Sequence, residues 1–184
     1  GMVFYRVIPK QAVQAGGQVF LLLPLVLGLA GCNLLSKPTL DVDQLNGTLT
    51  EAQAMALQSS LDWQCQASDA AGSQFGDRYC EGLAKEINGI PAQRVDYFFR
   101  GGTLSFAMVD FNPDAFAALA AQLDAKYKRR TEGEGMARLL GKGIVLWDAK
   151  AGFVGTSQTQ KNQDGNVILL WISDKEIERR GFHR

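Results

Sequence analysis

The segment Val95–Phe111 constrains the fold of this chain most strongly, because its side chains alternate between apolar and polar on both sides of a Gly-Gly pair at residues 101–102. Such alternation around a two-residue glycine turn predicts a β-hairpin with one buried side. In the predicted register Tyr97 faces Phe106, and the inward side chains are Val95, Tyr97, Phe99, Leu104, Phe106 and Met108. The outward side is polar except for Phe98, which we interpret as a candidate partner surface or as an isolated exposed aromatic.

Capping signals and an apolar stripe predict helices on both sides of this hairpin. The first helix begins at Thr50, which forms a T-x-x-Q capping box with Gln53. The second follows the hairpin, with Asn112 as its cap and Pro113 at its first position. Its apolar stripe can cover the buried side of the hairpin, and it consists of Phe116, Leu119, Ala120, Leu123 and Tyr127.

Short apolar runs separated by turn residues predict further strands at Gly143–Trp147, Phe153–Gln158 and Val167–Ile172. A last short helix begins at Ser173, with Glu176 completing a second capping box. The order of helix, loop, two strands, helix, about three strands and helix predicts an α+β fold. We expect a single two-layer domain, in which an antiparallel sheet of about five strands has its helices packed on one face.

The first part of the chain has the pattern of a signal peptide. Val19–Ala30 is an apolar run of 12 residues, Arg6 and Lys10 precede it, and the first acidic residue is Asp41. The run is shorter than the about 20 residues that span a bilayer and matches the roughly 7 to 15 residues of a signal-peptide core. The alternatives are a buried helix and an uncleaved membrane anchor.

Residues 29–32 read L-A-G-C, which resembles the lipobox of bacterial lipoprotein precursors. The resemblance implies that the Cys32 thiol receives a diacylglyceryl group, that the chain is cut before this cysteine, and that fatty acids such as palmitate are attached. It implies three parts: a signal peptide (1–31), a lipidated N-terminus and tether (32–49), and a globular domain (50–184).

The same resemblance places the protein in the bacterial cell envelope, where the lipid anchor makes the membrane a partner and the body faces the periplasm. Two or three acyl chains hold a protein firmly, because each buried methylene contributes about 0.8 kcal/mol. Asn33 follows the lipidated cysteine, where an aspartate would favour the inner membrane. We therefore expect the outer membrane over the inner membrane.

Once Cys32 is assigned to lipid, Cys65 and Cys80 are left in an exported chain, where an oxidising compartment favours pairing. Closing the loop between them contributes about 3 kcal/mol in the chain-entropy picture. The alternatives are a metal site and free thiols. Because the chain has one histidine, His183, and no C-x-x-C pattern, we predict a disulfide and no metal.

The charge balance argues against nucleic acid as a partner. Without residues 1–31, which hold two basic residues and no acid, the chain keeps 17 of its 19 Lys and Arg against 19 Asp and Glu. Binding a phosphate backbone needs a concentrated basic surface. The densest basic cluster, at the end of the predicted second helix, is interpreted as matching the helix dipole, with anionic lipid head groups as the alternative; it consists of Lys126, Lys128, Arg129 and Arg130.

No catalytic constellation is visible. A serine hydrolase needs a Ser-His-acid set, and the single His183 lies at the penultimate position. We therefore predict a non-enzymatic protein without a cofactor, acting as a binding or assembly module with another envelope protein as its partner. The alternatives are an envelope hydrolase or small-ligand carrier with a pocket between helices and sheet, and a purely structural surface protein.

Tryptophans are enriched at binding surfaces. Trp63 lies beside Cys65, where a disulfide would hold the chain rigidly, so it is a second candidate for a partner surface. Packing against the disulfide or in the core is the alternative for this residue. Trp147 and Trp171 lie inside apolar strand runs and are predicted to be in the core.

Overall fold

A computed structural model describes residues 37–130, 141 and 143–183 of the chain. Cys32, the L-A-G-C sequence and the predicted leader lie outside the described residues. Within the described part the chain forms three helices, α1 (Glu51–Ala56), α2 (Phe116–Asp124) and α3 (Asp174–Arg179). It also forms nine strands, β1 (Trp63–Ala67), β2 (Arg78–Leu83), β3 (Glu86–Ile87), β4 (Ile90–Arg100), β5 (Thr103–Phe111), β6 (Arg129–Arg130), β7 (Ile144–Ala149), β8 (Gly152–Lys161) and β9 (Val167–Ser173).

The strands form one antiparallel sheet in the order β1-β2-β4-β5-β9-β8-β7-β6, and β3 pairs with β4 beside this path. The predicted α+β class fits this architecture, but the predicted count of about five strands is wrong. The four strands that were not predicted are β1, β2, β3 and β6. The first two flank the loop between the cysteines, whose Gly, Ser and Asp residues obscure them, and the other two contain only two residues each.

The central hairpin forms around the predicted turn, but its register differs from the predicted one. Phe99 pairs with Leu104 as expected, whereas Phe98 pairs with Phe106 and Tyr97 pairs with Ala107. The shift arises at Ser105, an extra residue in β5, whose hydroxyl donates to the Phe75 carbonyl at 2.6 Å. Because a one-residue slip moves side chains to the other face, Phe106 lies on the face opposite to Tyr97.

The sheet consequently has an apolar core on each face. The first face, which carries α1 and α2, is defined by buried Val95, Tyr97, Phe99, Val109 and Trp171, together with Ala54 of α1 and Leu119 and Leu123 of α2. The second face, which carries α3, is defined by buried Phe75, Phe98, Phe106, Met108, Leu146, Phe153, Ile172 and Ile177. The expectation that all helices pack on one face is therefore wrong for α3, whose Ile177 belongs to the second core.

Phe98 belongs to this second core and is only 8% exposed. Its ring lies 5.2 Å from the ring of Phe75 and 5.7 Å from that of Tyr79, measured between centroids. The prediction that Phe98 lies on an open outward surface is wrong, because the loop that contains Phe75 folds over this face. Trp147 and Trp171, 0% and 1% exposed, are in the core as predicted.

The first and third helices begin where their caps predict, while α2 begins later. The Thr50 hydroxyl accepts from the Gln53 N–H, and the Gln53 side chain accepts from the Thr50 N–H, so the capping box of α1 is confirmed. The N-cap of α2 is Ala115, which has no side-chain cap, and the Asn112 backbone carbonyl accepts from the Ala115 N–H within the preceding turn, so the predicted cap at Asn112 is wrong. The Ser173 hydroxyl caps α3 by accepting from the Glu176 N–H, but the Glu176 carboxylate accepts from Arg179 and Arg180 and does not complete the predicted capping box.

The apolar stripe of α2 is confirmed. Leu119, Ala120 and Leu123 are buried, while Phe116 and Tyr127 pack against the first-face core as partly buried residues. Among the described residues, none of the helices has the length and apolar character needed to cross a membrane.

Candidate functional site

The geometry at the outermost strand pair agrees with the predicted disulfide. Cys65 on β1 and Cys80 on β2 lie directly opposite each other, with their Cα atoms 4.0 Å apart, and their sulfur atoms are bonded. Glu51 places a carboxylate oxygen within 4.8 Å of both sulfurs. A metal ion binds cysteine as the thiolate, and neither sulfur is a thiolate while the two are joined in a disulfide. In the oxidised protein, Glu51, Cys65 and Cys80 therefore do not form a metal site.

Trp63 and Phe98, the two candidates for a partner surface, lie on opposite faces of the sheet and form no common surface. The half-buried ring of Trp63 stacks on that of Tyr97, with 5.1 Å between centroids, and its indole N–H donates to the Gln58 carbonyl at 3.1 Å. Trp63 thus packs between the disulfide end of the sheet and the chain after α1.

Gln58 is a buried polar residue that connects this region to the chain before α1. Its side-chain N–H donates to the Thr39 carbonyl at 2.9 Å, and its side-chain oxygen accepts from the Tyr97 hydroxyl. Burial raises the pKa of Tyr97, although the hydrogen bond to Gln58 acts in the opposite direction. The phenol is therefore a permanent donor at neutral pH.

Residues 38–45, here called the strap, cross the first face instead of extending away from it. Leu40, Val42 and Leu45 are buried in the first-face core, and residues 42–44 form a 3₁₀ turn capped by the Asp41 carboxylate. This corrects the predicted boundary at residue 50, because apolar side chains of the predicted tether are part of the globular body. The N-terminal part of that tether, residues 32–36, lies outside the described residues.

Asn88 holds the strap to the sheet. It lies in the tight turn between β3 and β4, with a φ of 52° in the left-handed region that asparagine tolerates. Its side-chain oxygen accepts from the Leu40 N–H and its side-chain N–H donates to the Leu40 carbonyl, both at 2.9 Å. The Asn88 side chain thereby imitates the backbone of a neighbouring strand.

A cavity of about 230 Å³ lies between the strap, the β3–β4 turn and α2. Its floor is apolar and consists of Leu40, Val42, Ile87, Phe111, Leu119, Leu123 and Leu169. Its polar rim consists of Thr39, Asp41, Asn88, Gln122, Lys126 and Tyr127. The cavity lies between a helix and the sheet. This is the position expected for the small-ligand pocket that is one of the alternatives predicted from the sequence.

The rim of the cavity is an ion-paired group. The Lys126 ammonium lies 2.8 Å from an Asp41 carboxylate oxygen and 3.0 Å from one of Asp43, and the Tyr127 hydroxyl donates to Asp43 at 3.0 Å. Hydrogen bonding to Asp41 and Asp43 raises the pKa of Lys126, and the hydrogen bond from Lys126 lowers that of Asp41. Lys126 and Asp41 are 49% and 45% exposed, so these contacts contribute little stability in water.

The predicted basic cluster is largely neutralised by acidic neighbours. Besides the pairing of Lys126, the Arg129 guanidinium donates to Asp124 at 2.7 Å, and Arg130 lies 3.4 Å from Asp148. Because three of the four basic side chains are each paired with an acidic side chain, the cluster is better explained as solvated ion pairs than as a surface that binds phosphate groups.

Two further ionic groups lie on the second face. Arg94 contacts Asp110 at 2.7 Å and Asp96 at 3.1 Å, and both carboxylates are buried. Glu176 is also buried and accepts from Arg179 and Arg180 at 2.9 Å, with Arg100 at 3.3 Å. All three carboxylates are paired with guanidinium groups. This arrangement favours a structural role, in which the ion pairs hold neighbouring strands and α3 together, over a role in acid-base catalysis.

The residues of the cavity and strap were not predicted as a site, although part of the signal is present in the sequence. Asn88-Gly89 lies between two isoleucines, and an Asn-Gly pair flanked by apolar residues is the strongest short-range hairpin signal. That pattern locates the β3–β4 turn. The burial of Leu40 against the turn has no local signal, since it depends on contacts 48 residues apart.

Comparison of the chain with protein-family models, with curated proteins and with solved structures found no match.

Proposed function

We propose that this chain is the precursor of a lipid-anchored envelope lipoprotein, whose body is a non-catalytic binding or assembly module facing the periplasm. The observation that carries the proposal is the L-A-G-C sequence at residues 29–32, directly after an apolar run of signal-peptide length. The anchor is Cys32, and the preferred location is the outer membrane.

The disulfide geometry supports this proposal. Pairing of Cys65 with Cys80 uses two of the three cysteines and leaves Cys32 available for lipid. Disulfides of this kind persist in oxidising compartments such as the bacterial periplasm. An exported chain with one further cysteine after a leader is the arrangement that a lipoprotein requires.

The strap adds a constraint on geometry. Because the Pro38 and Thr39 carbonyls accept hydrogen bonds from Asn88 and Gln58, the tether before the strap is limited to residues 33–37, which span at most about 18 Å when fully extended. The body is therefore held close to the lipid head groups. A partner that binds it has to lie near the same membrane surface.

The experiment is expression in a bacterial host supplied with labelled palmitate, followed by mass spectrometry of the membrane-extracted chain. We expect a labelled polypeptide that begins at Cys32, and we expect Cys32→Ser to lose both the label and the membrane association. Gly31→Ala, which keeps a small residue before the cut, is the matched control for Gly31→Leu, which should block processing. An unlabelled cytosolic chain that retains residues 1–31 would overturn the proposal.

The binding-module part needs its own test. Crosslinking in intact cells should join the anchored chain to another envelope component. Recovery of the uncrosslinked chain alone with several crosslinking chemistries would contradict this part and leave the anchor unaffected.

The cavity under the strap favours a second candidate, a carrier of a small apolar ligand. Its ionisable groups, Lys126 and Asp41, lie at an exposed rim over an apolar floor, so a carrier fits this cavity better than a hydrolase. Short-chain alcohols of increasing length are suitable probes, with binding followed by chemical-shift changes of Leu119 and Leu123. Thr39→Trp at the rim should abolish binding, while Thr48→Trp, exposed outside the cavity, should not; unchanged binding by Thr39→Trp would exclude this site.

A further inference from the structure

The two edges of the sheet differ in length and in charge. One edge is β6, which consists of two arginines and pairs only with β7 in the described part of the chain. The other edge is β1, with the sequence W-Q-C-Q-A, which has five residues, no charge and no proline. Proteins protect exposed sheet edges with short strands, charged side chains and proline. The β6 edge has the first two of these protections, and β1 has none of the three.

The backbone geometry shows which groups of β1 face away from the sheet. Ser68 donates its N–H to Asp77 on the β2 side at 3.0 Å. The Cα separation of 4.0 Å between Cys65 and Cys80 is that of a non-hydrogen-bonded pair. Even-numbered residues of β1 therefore bond to β2, while the N–H and C=O groups of Trp63, Cys65 and Ala67 point outward. None of these outward groups has a backbone partner among the described residues.

We propose that β1 is a self-pairing edge, to which β1 of a second copy of this chain adds in the antiparallel direction about a two-fold axis through Cys65. Two sheets then become one continuous sheet. This proposal concerns the described body and is independent of the lipid anchor. An experiment that contradicts self-pairing therefore does not contradict lipidation at Cys32, and the reverse also holds.

The composition of β1 favours a second copy as the occupant. Across an axis through Cys65, Gln64 lies opposite Gln66 of the second copy, and Trp63 lies opposite the small Ala67 of the second copy. No like charges meet, whereas two copies of β6 would place arginine against arginine. The outward N–H and C=O groups of one copy are matched by those of the other, which is the self-complementarity of a two-fold interface.

The disulfide prepares this edge for pairing. Cys65 at the centre of the strand is bonded to Cys80, so the middle of β1 is held at a fixed distance from β2 before any second strand arrives. Gln64 and Gln66 are exposed on one side of the strand. A strand that is already extended and fixed loses less conformational entropy on pairing than a flexible segment.

The test uses complementary charge variants of the full chain, with mass measured by light scattering over a range of concentrations. We expect the wild type to form dimers. The doubly substituted chain Gln64→Lys with Gln66→Lys should raise the dimer dissociation constant at least about tenfold, because lysines then face each other across the axis. The chain with Gln64→Glu and Gln66→Glu should do the same.

Mixing the lysine chain with the glutamate chain should restore dimers made of one chain of each kind, since opposite charges then meet across the axis. Gln158→Lys, at an exposed position of β8 away from the β1 edge, is the matched control and should leave dimerisation unchanged. Circular dichroism melting identifies any variant that fails to fold. A monomeric wild type at every concentration, dimers that persist in the lysine chain, or a mixture that stays monomeric would each overturn the proposal.

Discussion

The two faces of the sheet are both covered, but they are covered differently. The first face carries one continuous apolar core under α1, α2 and the strap. The second face is divided: one part is apolar beneath α3 and the loop that contains Phe75, and another part holds the ion pairs of Arg94 with Asp96 and Asp110. Alternation in a strand therefore indicates that the strand has two distinct faces, but it does not indicate that one of them is exposed to solvent.

Strand β5 shows this most clearly. All of its residues after Thr103 are buried, although Ser105 and Asp110 are polar. An antiparallel sheet commonly leaves one face in water. Here small additional elements cover the second face, so polar residues on that face are hydrogen-bonded or ion-paired instead of hydrated.

The largest expected effect compares Phe98 with Phe99, neighbours in β4 that lie on opposite faces. If both faces are true cores, Phe98→Ala and Phe99→Ala should each lower the free energy of unfolding by about 3–5 kcal/mol, because each leaves a cavity. Urea denaturation followed by circular dichroism measures this. If Phe98 were exposed, its replacement would change the free energy of unfolding by no more than about 0.5 kcal/mol. That result would show that the second face is exposed to solvent.

The next effect tests whether the disulfide edge of the first face depends on its covalent bond. The double variant Cys65→Ala with Cys80→Ala should lose about 3 kcal/mol, as expected for releasing a loop with a sequence separation of 15. The wild type under reducing conditions is the matched control and should show the same loss in denaturant unfolding. Equal stability of the oxidised chain and the double variant would mean that packing of Trp63 and Tyr97 alone holds this edge.

The sequence predicts the local elements better than it predicts how they are arranged. The α1 capping box, the stripe of α2, the hairpin turn and the β7, β8 and β9 strands follow from local patterns and are present in the structure. The register at Ser105 does not follow from a local pattern, because the bulge depends on the Phe75 carbonyl, 30 residues away, as an acceptor. The covering of Phe98 and the docking of the strap are likewise decided by long-range contacts.

For the candidate site, too, some features follow from the sequence and others depend on long-range contacts. The pairing of Cys65 with Cys80 is predicted by counting the three cysteines and expecting the chain to be exported. The cavity does not follow from any motif, since its floor is assembled from the strap, β3, β5, α2 and β9. The Asn88-Gly89 turn at its rim and the apolar stripe of α2, which supplies Leu119 and Leu123 to its floor, have recognisable local signals.

On the second face, Glu176 provides a test that depends on pH. Burial opposes its ionisation, but hydrogen bonds from Arg179 and Arg180 and the charge of Arg100 outweigh burial, so the pKa of Glu176 lies below its ordinary 4.5. A carboxylate with a lowered pKa stabilises the fold above its unfolded pKa, and this stabilisation is lost as the pH falls through the folded-state pKa.

Glu176→Gln should therefore cost about 2 kcal/mol at neutral pH, as expected for lost charge-assisted hydrogen bonds. The gap to the wild type should shrink as unfolding is measured at pH values progressively below 4.5. Glu178→Gln, exposed on the same helix, is the matched control and should stay within about 0.5 kcal/mol at every pH. A gap that is constant with pH would show that Glu176 acts through packing and not through charge.

The smallest effect concerns the strap, the element that only the first face has. Asn88→Gly keeps a residue that tolerates the positive φ but removes both hydrogen bonds to Leu40, so we expect a loss of about 1–2 kcal/mol. Hydrogen exchange of the Leu40 amide should accelerate in the same variant. Asn88→Asp keeps the oxygen that accepts from this amide, so its Leu40 exchange should stay slow even though the donor to the Leu40 carbonyl is gone. If Leu40 exchanges equally fast in both variants, the strap is held by the burial of Leu40, Val42 and Leu45 alone, and Asn88 serves only the β3–β4 turn.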